Sequence, residues 1–239
     1  MISLLHDIKG ILFDFNGTLL LDSPLHEEAW IIMSAKLRET PFTAEEFRLT
    51  GHGRTNKAII TDLLGREPDK EELVNIVEEK ESYYRKMCLE NTETFRLAPG
   101  VIPFLDSLQD AGFPITIATG SYSVNVDFYF QHLHLAKWFN RSQVVYDDGS
   151  YPGKPAPDVF LFAAEKLNLA PADCLVFEDS YMGIQAAYRA GAAKIVAVEP
   201  YLDQTKMTIP THDIVFCQGF SNPLIESLIA MMGTKSQRI

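Results

Sequence analysis

Cysteine is scarce in this chain: Cys88, Cys174 and Cys217 are the 3 present among 239 residues. An odd count at wide spacing argues against a disulfide framework and a Cys-x-x-Cys metal site, so the expectation is reduced thiols in a cytoplasmic protein. Positive charge is also in short supply. There are 21 Lys+Arg against 32 Asp+Glu, a formal net charge of -11, and the basic footprint of a nucleic-acid binder is missing. No apolar run approaches the length of a membrane span. The start lacks the basic segment and small-residue cleavage site of a secretory leader. Neither nucleic acid nor membrane is therefore expected as a partner. The expectation that remains is a monomer acting on a small molecule, with hydrophobic content of 46%, enough to bury a substantial core.

The stretch Ile11 to Leu20 organises what is there. Gly10 to Phe13 is apolar without alternation, which reads as a fully buried strand. Asp14 then stands at the strand's carboxyl end, where open α/β sheets bind ligands. Asn16-Gly17 between apolar runs also reads as a hairpin turn, and the stretch alone does not decide between the two. From His26 the pattern becomes helical, with Ala29, Ile32, Met33 and Leu37 in phase. Thr43 with Glu46 forms a capping box. Helices are expected from Thr55 to Leu64 and from Pro68-Asp69 through Met87, with no strand between Leu25 and Glu93. Beyond Leu97 helices alternate with short apolar strands at 114–118, 143–146, 174–177, 195–198 and 214–216. Such alternation means a parallel sheet covered on both faces. The expected fold is a doubly wound α/β core, Rossmann-like, from residues 1–22 and 94–239, with residues 23–93 inserted as an α-helical cap.

Four stretches fall at predicted strand ends or crossover loops: Asp14-Phe15-Asn16-Gly17-Thr18, Thr119-Gly120-Ser121, Gly153-Lys154-Pro155 and Glu178-Asp179-Ser180. Alone, the second and fourth are ordinary helix caps and Lys154 is a surface lysine. Together they supply what phosphoryl transfer needs. Asp14 can be a carboxylate nucleophile. Thr119 and the amides of Gly120 and Ser121 can cradle phosphate at a helix N-terminus, and Lys154 adds a point charge. Asp14, Asp179 and one backbone carbonyl make the sparse oxygen site that Mg²⁺ prefers.

In this set and order the motifs resemble the haloacid dehalogenase superfamily of aspartate-nucleophile phosphotransferases. Within it the chain is similar to the β-phosphoglucomutase-like subgroup, over Lys9 to about Glu199. The resemblance implies that Asp14 attacks phosphorus and that Asp14, Asp179 and the Asn16 carbonyl ligate Mg²⁺, with Glu178 in or beside the outer shell. Thr119 and Lys154 would bind phosphate. His26 and Trp30 match the start of the subgroup's cap, and Gly51-x-Gly53-Arg54 its cap loop, so Arg54 is expected to reach the distal part of the substrate. Lys57 and Lys80 read as solvated helix lysines, and Trp30 and Trp138 as packing.

Asn16 departs from the pattern, which has an acid/base aspartate there. An amide cannot shuttle a proton at neutral pH. The expected function is a Mg²⁺-dependent phosphatase of small phosphorylated metabolites, sugar phosphates in particular. The alternatives are a β-phosphoglucomutase-type mutase and a low-activity protein that binds phosphorylated metabolites.

Overall fold

The computed structural model describes residues 7–51, 54–198, 207, 209–210 and 214–236. Among these, strands β1 (Gly10–Phe13), β2 (Ile115–Tyr122), β3 (Val145–Asp147), β4 (Cys174–Glu178), β5 (Lys194–Val198) and β6 (Ile214–Cys217) form one sheet. Every pairing is parallel and the order is β3-β2-β1-β4-β5-β6. The hairpin reading of Asn16-Gly17 is therefore set aside: β1 pairs with β2 on one side and β4 on the other. The chain winds outward from β1 in one direction and then in the other. This creates a crevice beside β1 at the carboxyl edge, the switch point where doubly wound sheets bind ligands.

Burial explains the unalternating strands, since each face has its own apolar layer. On one face Phe13 stacks on Phe177, ring centroids 5.1 Å apart, beneath Phe104 and Phe220. Helices α5 (Val101–Asp110), α6 (Ser123–His132) and α9 (Pro223–Ser236) cover this face. On the other face Leu12, Val176 and Ile195 pack against α7 (Asp158–Lys166) and α8 (Tyr181–Ala190).

Between β1 and β2 run α1 (Ser23–Leu37), α2 (Ala44–Thr50), α3 (Asn56–Leu64) and α4 (Lys70–Glu90). Their caps follow the sequence: Thr43 accepts from the Glu46 amide, Thr55 from Ala58 and Asp69 from Glu72. Trp30, Met33, Phe47, Ile60 and Val77 form an apolar cluster within these helices. Leu25, Ala29, Tyr84 and Met87, from the same α1 and α4, belong instead to the core under the sheet. No helix among the described residues is long and apolar enough to cross a membrane.

Candidate active site

Asp14 follows β1 and Asp179 follows β4, so adjacent parallel strands deliver both carboxylates to the crevice. Gly17 makes room for this. Its φ is +86°, and a Cβ there would lie 2.0 Å from Asp179 Oδ2. Thr18 donates to Asp179 Oδ1 at 3.1 Å. Glu178, the last residue of β4, is wholly buried. The Ser180 amide donates to its Oε2 at 2.7 Å, and Gly183 leaves no space for a side chain beside it, since a Cβ would stand 1.6 Å from Oε1. Ser180 also caps α8 through the Gly183 amide, as the cap reading of this motif expects.

Lys154 enters from the loop before α7 and joins the two acids. Its Nζ donates to Asp14 Oδ1 at 2.5 Å and to Glu178 Oε1. Burial works against its charge, but the two carboxylates outweigh that and hold it protonated. Burial also pushes the Asp14 carboxyl up; Lys154 pulls it down, Glu178 pushes it up again, and it reaches about 7. Asp179 is raised well above the usual carboxylate range by burial and by its neighbours Glu178 and Asp14. Asp14, Glu178 and Asp179 each offer an oxygen within 4.8 Å of the others. Asp14 Oδ2 is buried with no hydrogen-bond partner. Three crowded acids against one lysine, with one oxygen unspent, fit a divalent cation.

Thr119, Gly120 and Ser121 line the same cleft but not at a helix N-terminus. β2 continues through them to Tyr122, with a register shift against β3, and α6 begins at Ser123. The Ser121 amide turns back onto Thr119 Oγ1 at 3.1 Å. Both hydroxyls reach Asn16: Ser121 Oγ donates to Asn16 Oδ1 at 2.7 Å and Thr119 Oγ1 at 3.3 Å.

The other side of Asn16 meets His26, which the sequence pointed to, and Asp22 and Tyr129, which it did not. Asn16 Nδ2 donates to Asp22 Oδ2 at 2.6 Å and to Tyr129 Oη at 3.0 Å, and lies 3.3 Å from His26 Nε2. Asp22 is wholly buried and also accepts from Tyr84. Burial pushes its carboxyl up, but hydrogen bonds from His26, Tyr84 and Asn16 prevail and hold it below the usual range. His26 stacks on Tyr84 at 3.8 Å and accepts at Nδ1 from Lys80 Nζ at 2.9 Å.

Lys80 corrects an expectation: it is buried, not solvated, and bonds Glu81 Oε1 at 3.1 Å. The signal was present in α4. Ile76, Val77, Lys80, Glu81, Tyr84, Met87 and Cys88 are its buried residues at helical spacing, so both charges sit in the apolar stripe. Asn56 and Asn125 each donate to Glu81 at 2.7 Å. Lys57 is exposed, 3.6 Å from Glu67. Trp30 packs in the cluster of α1–α4 and also lines the cleft; Trp138 donates to Asp106. Arg54 lines the cleft, yet its guanidinium turns back to Asp62 Oδ2 at 2.6 Å and to the Thr50 carbonyl at 3.0 Å. Gly53 lies outside the described residues.

The profile of the haloacid dehalogenase-like hydrolases matches residues 8–191. The chain is 32% identical over 186 residues to fructose-1-phosphate phosphatase YqaB of Escherichia coli, covering 76% of this chain and 92% of that one. It is 30% identical over 230 residues to phosphoglycolate phosphatase of Shigella dysenteriae, covering 88% and 89%. A solved structure, a family IA, variant 3 hydrolase of the same superfamily from Entamoeba histolytica, aligns with a TM-score of 0.78 at 35% identity, covering 95% and 100%.

Proposed function

This chain belongs to the haloacid dehalogenase-like hydrolases, and we propose that it is a Mg²⁺-dependent phosphatase of small phosphorylated metabolites, sugar phosphates in particular, with Asp14 as nucleophile. The unspent Oδ2 of Asp14, one of three converging acids, is the observation that carries this reading. Two curated relatives named as phosphatases of small phosphate esters support the substrate class.

In this reading Asp14, Asp179 and the Asn16 carbonyl hold the cation, with Glu178 behind them. When bound it offsets the charge gathering on the phosphoryl oxygens. Asp14 gives one carboxylate oxygen to the cation and the other to phosphorus, and Lys154, which bonds Oδ1, adds a positive charge beside the phosphoryl group. Thr119 and Ser121 exchange their bonds to Asn16 for bonds to phosphate oxygens. Attack by Asp14 breaks the P–O ester bond, giving an aspartyl phosphate and an alkoxide that takes its proton from water; a water molecule then cleaves the acyl phosphate, releasing phosphate and restoring the Asp14 carboxylate. Helices α1–α4, residues 23–93, act as a cap that excludes bulk water from the site.

Asn16 favours a phosphatase over a mutase. A mutase must protonate and deprotonate sugar oxygens in both half-reactions, and position 16 holds an amide that does neither. The test is phosphate release from a panel of phosphorylated metabolites with Mg²⁺, using Asp14→Asn as the control. Release that Asp14→Asn abolishes supports the reading. Isomerisation without release makes the protein a mutase, and tight binding with neither makes it a binding protein.

A further inference from the structure

Beyond the phosphate site, the cations among the described residues lining the cleft are Arg54 and Lys80. Each already has its own carboxylate. Arg54 Nη1 donates to Asp62 Oδ2 at 2.6 Å and to the Thr50 carbonyl at 3.0 Å, while Nη2 lies 3.4 Å from the Ala58 carbonyl. Lys80 Nζ bonds Glu81 Oε1 at 3.1 Å and His26 Nδ1 at 2.9 Å, and stands over the rings of Trp30 and Tyr84. Burial pushes the Glu81 carboxyl up, but Lys80, His26 and the two asparagines bring it to about 2. His26 in turn faces Asp22 Oδ2 at 3.3 Å. Among the other described residues lining this half, Trp30 and Ile59 are apolar, and Asn56 and Ser23 carry polar groups without charge.

We propose, on the basis of the phosphatase reading above, that this distal half selects phosphate esters whose remainder is uncharged and hydroxylated, and that Asp62 sets the selectivity by withholding Arg54 from a second anionic group. A hydroxyl needs only hydrogen bonds, which Asn56 and Ser23 supply. A second phosphate or a carboxylate would enter beside Asp62, Glu81 and Asp22 with Arg54 and Lys80 already paired. Like-charge juxtaposition of that kind is costly. Asp62 is a specificity residue that does not touch the substrate.

Equilibrium binding decides the matter, measured on the Asp14→Asn protein with a hexose 1-phosphate, the corresponding bisphosphate and phosphoglycolate. The monophosphate is expected to bind at least about 10-fold more tightly than either doubly anionic ligand. Asp62→Asn, added to that background, is expected to shift the ratio toward the bisphosphate by about 2- to 5-fold, the range of a partly exposed ion pair. Adding Arg54→Ala is expected to remove the shift. Tighter binding of the bisphosphate or phosphoglycolate by the unmodified cleft overturns the proposal. So does an Asp62→Asn protein whose ratio does not move. Turnover of an aryl phosphate by the wild-type protein is the separate control: its absence overturns the phosphatase reading, while the binding ratios still decide the selectivity.

Discussion

The side-chain amide of Asn16 donates to Asp22 Oδ2 over 2.6 Å, inside a pocket where Asp22 is wholly buried. The contact fixes which way the amide points, because an oxygen placed there would face a carboxylate. It also changes what a substitution at position 16 does. Asn16→Asp puts a second carboxyl oxygen against Asp22, and two acids that close cannot both ionise, so they share a proton. The new group therefore carries a proton at neutral pH and can hand it to a leaving alcohol. Turnover of sugar phosphates is expected to rise by about 10²–10⁴-fold. Asn-Gly pairs deamidate readily, so peptide mapping of Asn16-Gly17 must accompany the rates. Equal rates for undeamidated wild type and the variant would show that another group moves the proton.

A cation at Asp14 and Asp179 competes with protons there. Both groups have raised pKa values, so each holds its proton to higher pH than in the unfolded chain. Without metal, stability is therefore lost as pH rises from the ordinary carboxylate range toward about 7. Mg²⁺ offsets the acids once they ionise. Its stabilisation, read as a rise in Tm, is expected to grow between pH 6 and pH 8 and to disappear in Asp179→Asn. A pH-independent increment would remove these acids from the cation site.

An amide at position 16 slows hydrolysis of an aspartyl phosphate more than its formation from a reactive donor. Incubation with acetyl phosphate and Mg²⁺ is expected to leave one phosphoryl group on Asp14, visible by intact mass and mapped by peptide sequencing. Protein that binds the metal yet stays unmodified would exclude Asp14 as the nucleophile.

Glu81 links the inserted helices to the core, since it accepts from Asn56 on α3 and from Asn125 on α6. Its folded pKa is depressed to about 2. Its contribution is therefore complete above the unfolded value near 4.5 and is lost as pH falls through about 2. Glu81→Gln keeps the shape and removes the charge opposite buried Lys80. The Tm gap between wild type and this variant is expected to be widest above pH 5 and to close toward pH 2. A gap that does not depend on pH would make the role of Glu81 one of packing alone.

Local chemistry made much of the site legible. Asp14, Thr119 and Asp179 stand at the ends of apolar runs, and a run of four or five buried residues in an alternating α/β chain has one reading. Gly17 was legible because a positive φ is a local demand, and Ser180 because an N-cap is one. The end of β2 was not. Thr119-Gly120-Ser121 looks like a strand stop, yet pairing of Tyr122 with Asp147 draws the strand onward. Lys80 reads as solvent-facing because a helix lysine usually is. Only its phase with Ile76, Val77 and Tyr84 hinted otherwise.

Apolar runs, caps and turn residues act within a few positions of themselves, so the sequence alone determined the succession of strands and helices and the acids that emerge at strand ends. The tertiary structure decided which charges pair. Lys154 meets Asp14 across 140 positions, Ser121 meets Asn16 across 105, and Tyr84 meets Asp22 across 62. The physical reason is that ionisation and hydrogen bonding depend on burial and on separations of about 3 Å. Both are properties of chain segments brought together by the sheet order, and no single segment carries them.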